Sequence, residues 1–211
     1  MARTAAYGKL RGSYNPAEKR RALLASALKL FEEKGYHATS VEDIVTEAGM
    51  TKGALYHLFS GKEEILQKLQ EEYIDDRLEN FERILQNHTS PVDRLRQLIQ
   101  ESLMAVAQFR SHVIIFAQER RFLTEERFAT IKAKRDKLDA LYESIIRQGI
   151  EEGVFNPRLQ PRIVSFGILG MLTSAYSWFR PEGPLTAAEV AEQFAELVLN
   201  GLLADAPAGD D

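Results

Sequence analysis

The sequence predicts an all-α protein with an N-terminal three-helix head and a larger C-terminal helical body, about nine helices in all. Apolar residues recur at helical spacing through most of the chain, and no segment alternates apolar and polar residues as a half-buried strand does. Capping residues, glycines and prolines divide the chain into segments of helical length. We expect residues 1–14 to form a flexible basic arm, 15–61 the head, 62–203 the body, and 204–211 a disordered tail.

Composition excludes several classes of protein. The 211 residues include no cysteine, which removes disulfides, thiolate metal sites and cysteine nucleophiles. No apolar run approaches the ~18 residues of a membrane span, and the N-terminus lacks the apolar core of a signal peptide, so we expect a cytoplasmic protein. The four histidines show no metal-ligand spacing, and no glycine-rich phosphate loop or nucleophile elbow is present. We therefore expect neither a cofactor nor an enzyme.

Charge is distributed unevenly along the chain. The net charge is -4, but residues 1–62 carry ten Lys/Arg against six Asp/Glu, a net of +4. The remainder carries 17 against 25, a net of -8. A basic head on an acidic body indicates that any attraction for nucleic-acid phosphates lies in the head.

The segment 39–62 predicts a helix-turn-helix unit. A bracing helix begins near Ser40, with Asp43 at the capping-box offset, and ends at Ala48-Gly49. A reading helix is then predicted from Thr51 to Phe59, and such a helix lies in the major groove of DNA. Another capping box at 60–63 opens the long fourth helix.

Helical spacing separates the two faces of the predicted reading helix. Leu55 and Phe59 lie four residues apart and should pack in the head's core with Phe31, Ile44 and Val45. The exposed side then carries Thr51, Lys52, Gly53, Ala54, Tyr56 and His57. Each of the polar residues taken alone also fits a solvated surface position or a local packing role, and their order in one short segment is what favours DNA contact.

Residues 16–65 resemble the DNA-binding domain of the TetR family of bacterial transcriptional repressors. The matching residues are Ala27, Phe31, Gly35-Tyr36, Thr39-Ser40-Val41, Ile44, Ala48-Gly49 and the segment TKGALYHLFSGKEE at 51–64. The resemblance implies a homodimer whose two reading helices enter successive major grooves of a near-palindromic double-stranded operator. It implies DNA contacts by Thr51, Lys52, Gly53, Tyr56, His57 and Lys62, and phosphate contacts by Thr39 and Ser40.

Residues 149–203 resemble TetR-family regulators that respond to acyl-CoA thioesters in fatty-acid, aromatic or steroid catabolism. The matching residues are the segment 149–153, the segment 178–186, Phe194 and Leu199-Asn200-Gly201. The family pattern implies a dimer interface made by the last two helices. In the sequence, an apolar stripe in the last helix and small residues at 167, 170 and 174 are consistent with that interface or with packing inside one chain.

An acyl-CoA requires an apolar tunnel and a basic mouth. The candidate ligand-binding residues are Met104, Phe109, Ile115, Phe116, Arg120, Arg121, Phe166, Gly170 and Tyr176. Ile114 and Met171 are further tunnel candidates, and Arg110, Lys132, Lys134 and Arg135 are further candidates for the mouth. Plain core packing for the apolar residues, and a solvated helix face for the basic ones, remain open alternatives.

Three functions follow from these observations. The first is a repressor released from its operator by a small apolar effector, such as an acyl-CoA. The second is a DNA-binding regulator without a small-molecule ligand, or with a hydrophobic effector that is not a CoA ester. An enzyme is the third, and no group of residues in the sequence supports it.

Overall fold

The computed structural model describes residues 15–203, without side-chain detail for 116–120. The expected basic arm and C-terminal tail, and the candidate side chains of Phe116 and Arg120, lie outside the described residues. Nine α-helices are present in the described part, and a 3₁₀ turn (Arg120–Phe122) follows the sixth. The helices are α1 (Pro16–Lys34), α2 (Val41–Glu47), α3 (Lys52–Tyr56), α4 (Lys62–Asn87), α5 (Pro91–Gln108), α6 (Arg110–Glu119), α7 (Glu125–Glu151), α8 (Pro161–Trp178) and α9 (Ala187–Leu202).

The all-α prediction is confirmed. Between residues 15 and 203 the only extended pairing is an isolated bridge between Phe155 and Leu203. These residues separate into a head that ends at Lys62 and a body that begins at Glu63. None of the described helices has the length and apolar content that a membrane span needs.

Side-chain caps fix the helix starts in the head. Asn15 Oδ1 accepts the N–H of Ala17 at 3.1 Å at the start of α1. Ser40 and Asp43 form the predicted capping box of α2, and Thr51 Oγ1 accepts the N–H of Ala54 at 3.2 Å at the start of α3. Each cap satisfies a backbone donor that the first turn of a helix leaves without a partner.

The predicted core of the head is confirmed. Leu55 and Phe59 are buried, at 0% and 2% exposure. Phe31, Ile44 and Val45 are buried in the same unit, and Phe31 meets Tyr36 edge-on at 5.1 Å between ring centroids. These apolar side chains hold the three helices of the head together, because α2 and α3, with seven and five residues, have little stability of their own.

The reading helix is shorter than predicted. It ends at Tyr56, and His57 is its C-cap residue rather than part of the helix. The N–H groups of Leu58 and Phe59 both donate to the carbonyl of Leu55 at 2.8 Å, which closes a tight turn. This turn still places Phe59 in the core, so the expected packing survives although the expected helix end is wrong.

In the body, α5 packs against α7, α8 and α9. Its apolar face contributes Leu95, Leu98, Ile99 and Leu103 to a core that also holds Phe81 of α4. After α7, the chain turns back at Gly153, whose φ of 73° favours glycine. The ring of Phe155 then packs on Gly149, where an added Cβ would lie 2.1 Å from a ring carbon.

Candidate DNA-reading surface and ligand cavity

The exposed side of α3 carries the residues that the sequence predicts there. Thr51, Lys52, Gly53 and His57 are exposed, and Tyr56 is 56% exposed, which is unusual for a large aromatic side chain. As the N-cap, Thr51 uses an oxygen lone pair, so its hydroxyl hydrogen can still be donated. A Cβ added to Gly53 would meet only Thr51 Oγ1, at 3.8 Å, so the fold of the head does not require glycine at this position.

Lys52 is paired across the head with a carboxylate. Its ammonium forms an ion pair with Glu42 of α2, and both side chains are more than half exposed. The hydrogen bond and the charge of Glu42 raise the pKa of Lys52, so this lysine is charged at neutral pH. An exposed pair of this kind is weak, and a phosphate can compete with Glu42 for the ammonium.

Thr39, for which the sequence predicts a phosphate contact, does not occupy a surface position. The residue is 1% exposed, and its hydroxyl donates to the carbonyls of Gly35 at 2.8 Å and Leu30 at 3.2 Å. Its side chain therefore closes the end of α1. Ser40 is exposed, but its N–H and its hydroxyl both donate to Asp43 at 2.7 Å, so its side chain serves the cap of α2.

Lys62, for which the sequence predicts a DNA contact, binds groups inside the head. Its ammonium donates to the carbonyls of Tyr36 at 2.7 Å and Thr39 at 2.6 Å, and it lies 4.3 Å from the centroid of the Tyr36 ring. A third carbonyl, that of His37, lies at 3.5 Å. The lysine thus binds the loop between α1 and α2, because that loop leaves several carbonyls without helical partners.

Lys19 was missed by the sequence analysis. It borders a shallow groove on the head together with residues of the reading helix and its C-cap; the lining residues are Pro16, Lys19, Thr51, Gly53, Ala54, His57 and Leu58. Nothing local in the sequence distinguishes Lys19 from other surface lysines. Only the packing of α1 beside α3 places it next to the reading surface.

The body contains a part-enclosed cavity of about 360 Å³ between α4, α5, α7 and α8, with one residue from α6. This volume lies at the lower end of the ~300–1,000 Å³ typical of small-molecule sites. The lining residues are Gln70, Tyr73, Ile74, Arg77, Phe81, Ser102, Val106, Val113, Arg135, Leu138, Asp139, Tyr142, Leu169, Leu172, Thr173 and Tyr176. Apolar and aromatic side chains dominate, with a few polar groups among them.

A buried polar network forms one wall of this cavity. The guanidinium of Arg77, 4% exposed, donates to the carboxylate of Glu101 at 3.0 Å and to Ser102 Oγ at 2.8 Å. Ser102 Oγ lies 2.7 Å from the hydroxyl oxygen of Tyr142, which donates to the carbonyl of Leu98 at 3.0 Å. A guanidinium and two hydroxyls are thus held among apolar side chains.

Burial raises the pKa of three groups that line the cavity. Desolvation raises the pKa of Tyr142 and of Tyr73, so both phenols are neutral at physiological pH. Burial also raises the pKa of Asp139, while the nearby Arg135 opposes that shift. The polar groups of the cavity are therefore mostly uncharged donors and acceptors, apart from the two arginines and the carboxylates near them.

Most of the predicted ligand residues lie elsewhere. Of the apolar and aromatic candidates with described side chains, only Tyr176 lines the cavity, while Phe109 packs edge-on against the lining residue Tyr73 at 5.8 Å. Ile115 is buried outside the lining, and Met104 is 44% exposed. Phe166 and Gly170 lie on the outer face of α8, and Arg121 is exposed with its guanidinium over the ring of Phe122. Most of the lining of the cavity comes from α4, α7 and α8.

The predicted basic mouth is reduced to one lining residue. Arg135 borders the cavity. Lys132 forms an ion pair with Asp136 at 2.6 Å, and Lys134 forms one with Asp75 at 2.6 Å. These pairs neutralise the two lysines on the surface of α7.

An apolar strip lies exposed on α8 and α9. Ile163, Phe166 and Trp178 of α8 are 64%, 50% and 48% exposed, and Leu197 of α9 is 66% exposed. Gly167 and Gly170 lie between them on α8, with open space where a Cβ would be. The two helices meet where the ring of Trp178 lies 6.0 Å from that of Phe194, and large apolar side chains exposed on both helices are typical of a protein–protein interface.

Comparison with known proteins agrees with the head and the body described above. Residues 23–69 match the family "Bacterial regulatory proteins, tetR family", and residues 88–202 match the family "Tetracyclin repressor-like, C-terminal domain". The two matches together cover a helix-turn-helix head and a helical body, which define a DNA-binding transcriptional regulator. The chain belongs to the TetR family.

Individual relatives extend over most of the chain. The HTH-type transcriptional repressor KstR2 of Mycobacterium tuberculosis is 34% identical over 185 residues, which are 87% of this chain and 92% of the relative. The solved structure of that organism's ketosteroid transcriptional regulator KstR2 has a TM-score of 0.79 at 33% identity and covers 89% of this chain and 96% of its own. The structure of AibR in complex with isovaleryl coenzyme A and operator DNA has a TM-score of 0.76 at 31% identity and covers 85% of this chain and 97% of its own.

Proposed function

We propose that the chain is a transcriptional repressor that binds a near-palindromic operator as a homodimer and is released by a small apolar effector, an acyl-CoA thioester. The cavity of about 360 Å³ in the body carries the effector half of this proposal. Two similar proteins support it, since KstR2 is named a repressor and AibR was solved with both isovaleryl coenzyme A and operator DNA.

The surface of α3 supports operator binding. Thr51, Lys52, Tyr56 and His57 offer donors and an aromatic ring on one exposed side, and Gly53 leaves room for close approach of the duplex. Lys19 adds a positive charge beside the same groove. We assign these residues, rather than Thr39 or Lys62, to the DNA.

The exposed strip on α8 and α9 supports the homodimer. A two-fold pair buries the same strip from both chains, so that Phe166, Trp178 and Leu197 leave water together. Two heads are then held at a fixed separation, which has to match half-sites on the order of 34 Å apart. An effector that changes this separation weakens the contacts at both half-sites.

The size of the cavity sets how the effector sits. About 360 Å³ encloses an acyl group or a small ring system, but not a whole coenzyme A thioester. The nucleotide end therefore stays outside the cavity. Arg135, at its border, is the described basic residue best placed to meet the charged part of such a ligand.

A gel-shift titration on the chain's own promoter region tests the proposal. We expect a discrete complex that is lost on addition of a CoA thioester and kept on addition of free coenzyme A at equal concentration. If only apolar compounds without coenzyme A release the DNA, the effector is of another class. If the complex resists every compound, the chain is a regulator without a small-molecule ligand.

A further inference from the structure

Arg77 retains hydrogen-bond donors that no group among the described residues accepts. A guanidinium has five N–H hydrogens. The contacts of Arg77 account for three of them: two from Nη1 to the carbonyl and carboxylate of Glu101, and one from Nη2 to Ser102 Oγ. The Nε–H and one Nη2–H have no acceptor among the described residues.

These donors are not sealed inside the protein. Among the described side chains, the only fully buried nitrogen or oxygen atom without a partner is Arg110 Nε. Arg77 Nε has no partner among the described residues either, so this atom is not fully buried, and Arg77 is one of the residues that line the cavity. The side chain of Arg77 is only 4% exposed, so a donor without an acceptor there has lost hydrogen bonds to water. A ligand acceptor placed next to it restores a hydrogen bond and therefore adds to the affinity.

The neighbouring hydroxyls cannot supply a donor of their own. Tyr142 donates to the carbonyl of Leu98, so it accepts from Ser102, and Ser102 in turn accepts from Arg77. The hydroxyl hydrogens of Ser102 and Tyr142 are therefore both donated to protein oxygens. Arg77 is the donor that remains for an oxygen placed against this wall.

The charge balance disfavours an anion at the same place. Glu101 already neutralises Arg77 at 3.0 Å, and Asp139 adds a second carboxylate to the lining. Since Asp139 also interacts with Arg135, the two arginines of the lining already have two carboxylates near them, and a ligand carboxylate buried beside Arg77 brings a negative charge in excess, which is costly away from water. A neutral carbonyl oxygen accepts the hydrogen bond without this cost.

We propose that the cavity recognises an uncharged carbonyl oxygen, that of a ketone or a thioester, through the N–H donors of Arg77, and discriminates against the free carboxylic acid. This inference rests on the proposed function in that the cavity is taken as the effector site. Arg77 is then the residue that distinguishes a carbonyl-bearing effector from its carboxylic acid, and Ser102 and Glu101 hold the guanidinium in place.

Three small probes with the same bicyclic skeleton test the inference: 2-decalone, decalin and decalin-2-carboxylate. Their binding to the full-length protein can be measured by displacement of an apolar fluorescent dye. We expect 2-decalone to bind about tenfold more tightly than decalin, because the ketone gains one hydrogen bond from a charged donor. We expect decalin-2-carboxylate to bind less tightly than the ketone at pH 7. Equal affinity for the ketone and decalin, tightest binding of the carboxylate, or no binding of any probe overturns the inference.

Two variants assign the preference to Arg77. Arg77→Met removes every side-chain donor at this position, and the double variant Arg77→Met/Glu101→Gln keeps the wall neutral if the single change destabilises the fold. Both should bind decalin as the wild type does and lose the preference for 2-decalone. Arg83→Met, exposed on the same helix, is the matched control and should keep it. A preference that survives in the folded Arg77 variants contradicts the assignment, whereas operator release by CoA thioesters tests the proposed function separately.

Discussion

The hydroxyl oxygens of Ser102 and Tyr142 lie 2.7 Å apart although the two residues are 40 positions apart in sequence. This contact joins α5 to α7 in the wall of the cavity, and it continues to Arg77 of α4 on one side and to the carbonyl of Leu98 on the other. Three helices that enclose the cavity are thus tied by a single chain of hydrogen bonds. The stability of the body and the shape of the cavity depend on the same few polar atoms.

Tyr142→Phe should destabilise the body by about 1–3 kcal/mol, because the change leaves Ser102 without its acceptor in a buried setting. Chemical denaturation of the full chain measures the loss. Tyr176→Phe is the matched control, since Tyr176 lines the same cavity and its hydroxyl has no hydrogen bond among the described residues. Equal stability of the two variants contradicts the importance of the network.

Lys62→Met should lower the stability of the head by on the order of 1–3 kcal/mol, because its ammonium binds loop carbonyls of Tyr36 and Thr39. Operator affinity should fall as the loop loosens. The slope of affinity against salt concentration should not change, whereas loss of a phosphate contact reduces that slope by about one. Lys29→Met, which removes an exposed ion pair with Glu47, serves as the control. A flatter salt dependence for Lys62→Met restores the phosphate contact that the sequence predicts.

Adjacent residues of α3 should separate folding from DNA binding. Leu55→Ala empties a fully buried position and should cost about 2–5 kcal/mol of stability. Tyr56→Ala changes a side chain that is 56% exposed, so it should leave the melting temperature nearly unchanged while weakening operator binding by roughly tenfold. Normal operator affinity in Tyr56→Ala means that the reading surface is wrongly assigned.

Leu197→Glu should shift the protein from dimer to monomer without unfolding it, because the side chain is 66% exposed in the single chain and a charge there opposes burial against a second copy. Analytical ultracentrifugation gives the oligomeric state, and circular dichroism gives the fold. Gln86→Glu introduces the same charge at an exposed position of α4 and should remain dimeric. An unchanged dimer in Leu197→Glu places the interface elsewhere.

Asp43 should make the head sensitive to acid. The hydroxyl and N–H of Ser40, with Lys34, lower the pKa of Asp43 from 3.8 to about 2. A carboxyl with a lowered pKa in the folded state stabilises that state above its unfolded pKa, and this contribution is lost as pH falls towards 2. Asp43→Asn should therefore be less stable than wild type at pH 6, and the difference should shrink between pH 4 and pH 2. A difference independent of pH over that range contradicts the capping role.

The sequence predicts the head well because its signals are local. The caps at Ser40 and Thr51, and the buried pair Leu55 and Phe59, are set by residues within one or two helical turns. The contacts that Thr39 and Lys62 make inside the head could not be predicted in this way. Their partners depend on how the loop between α1 and α2 folds back, and sequence spacing does not encode this.

The cavity could not be located from sequence because its lining depends on long-range packing. Arg77 lies in a charged stretch of α4 that resembles a solvated face, and only the fold brings it to Glu101. In α8, apolar residues occupy most faces, so periodicity does not distinguish Leu172, which lines the cavity, from Phe166, which lies outside. A helix that is apolar on all its faces is expected to be buried, but its sequence does not show which elements cover which face.

Native mass spectrometry of the protein on a duplex from its own promoter region tests the central claim most directly. We expect a complex of two protomers per duplex that dissociates from DNA when a CoA thioester is added and remains with free coenzyme A. Failure to bind the duplex, binding of one protomer alone, or a complex that no CoA thioester releases would contradict it.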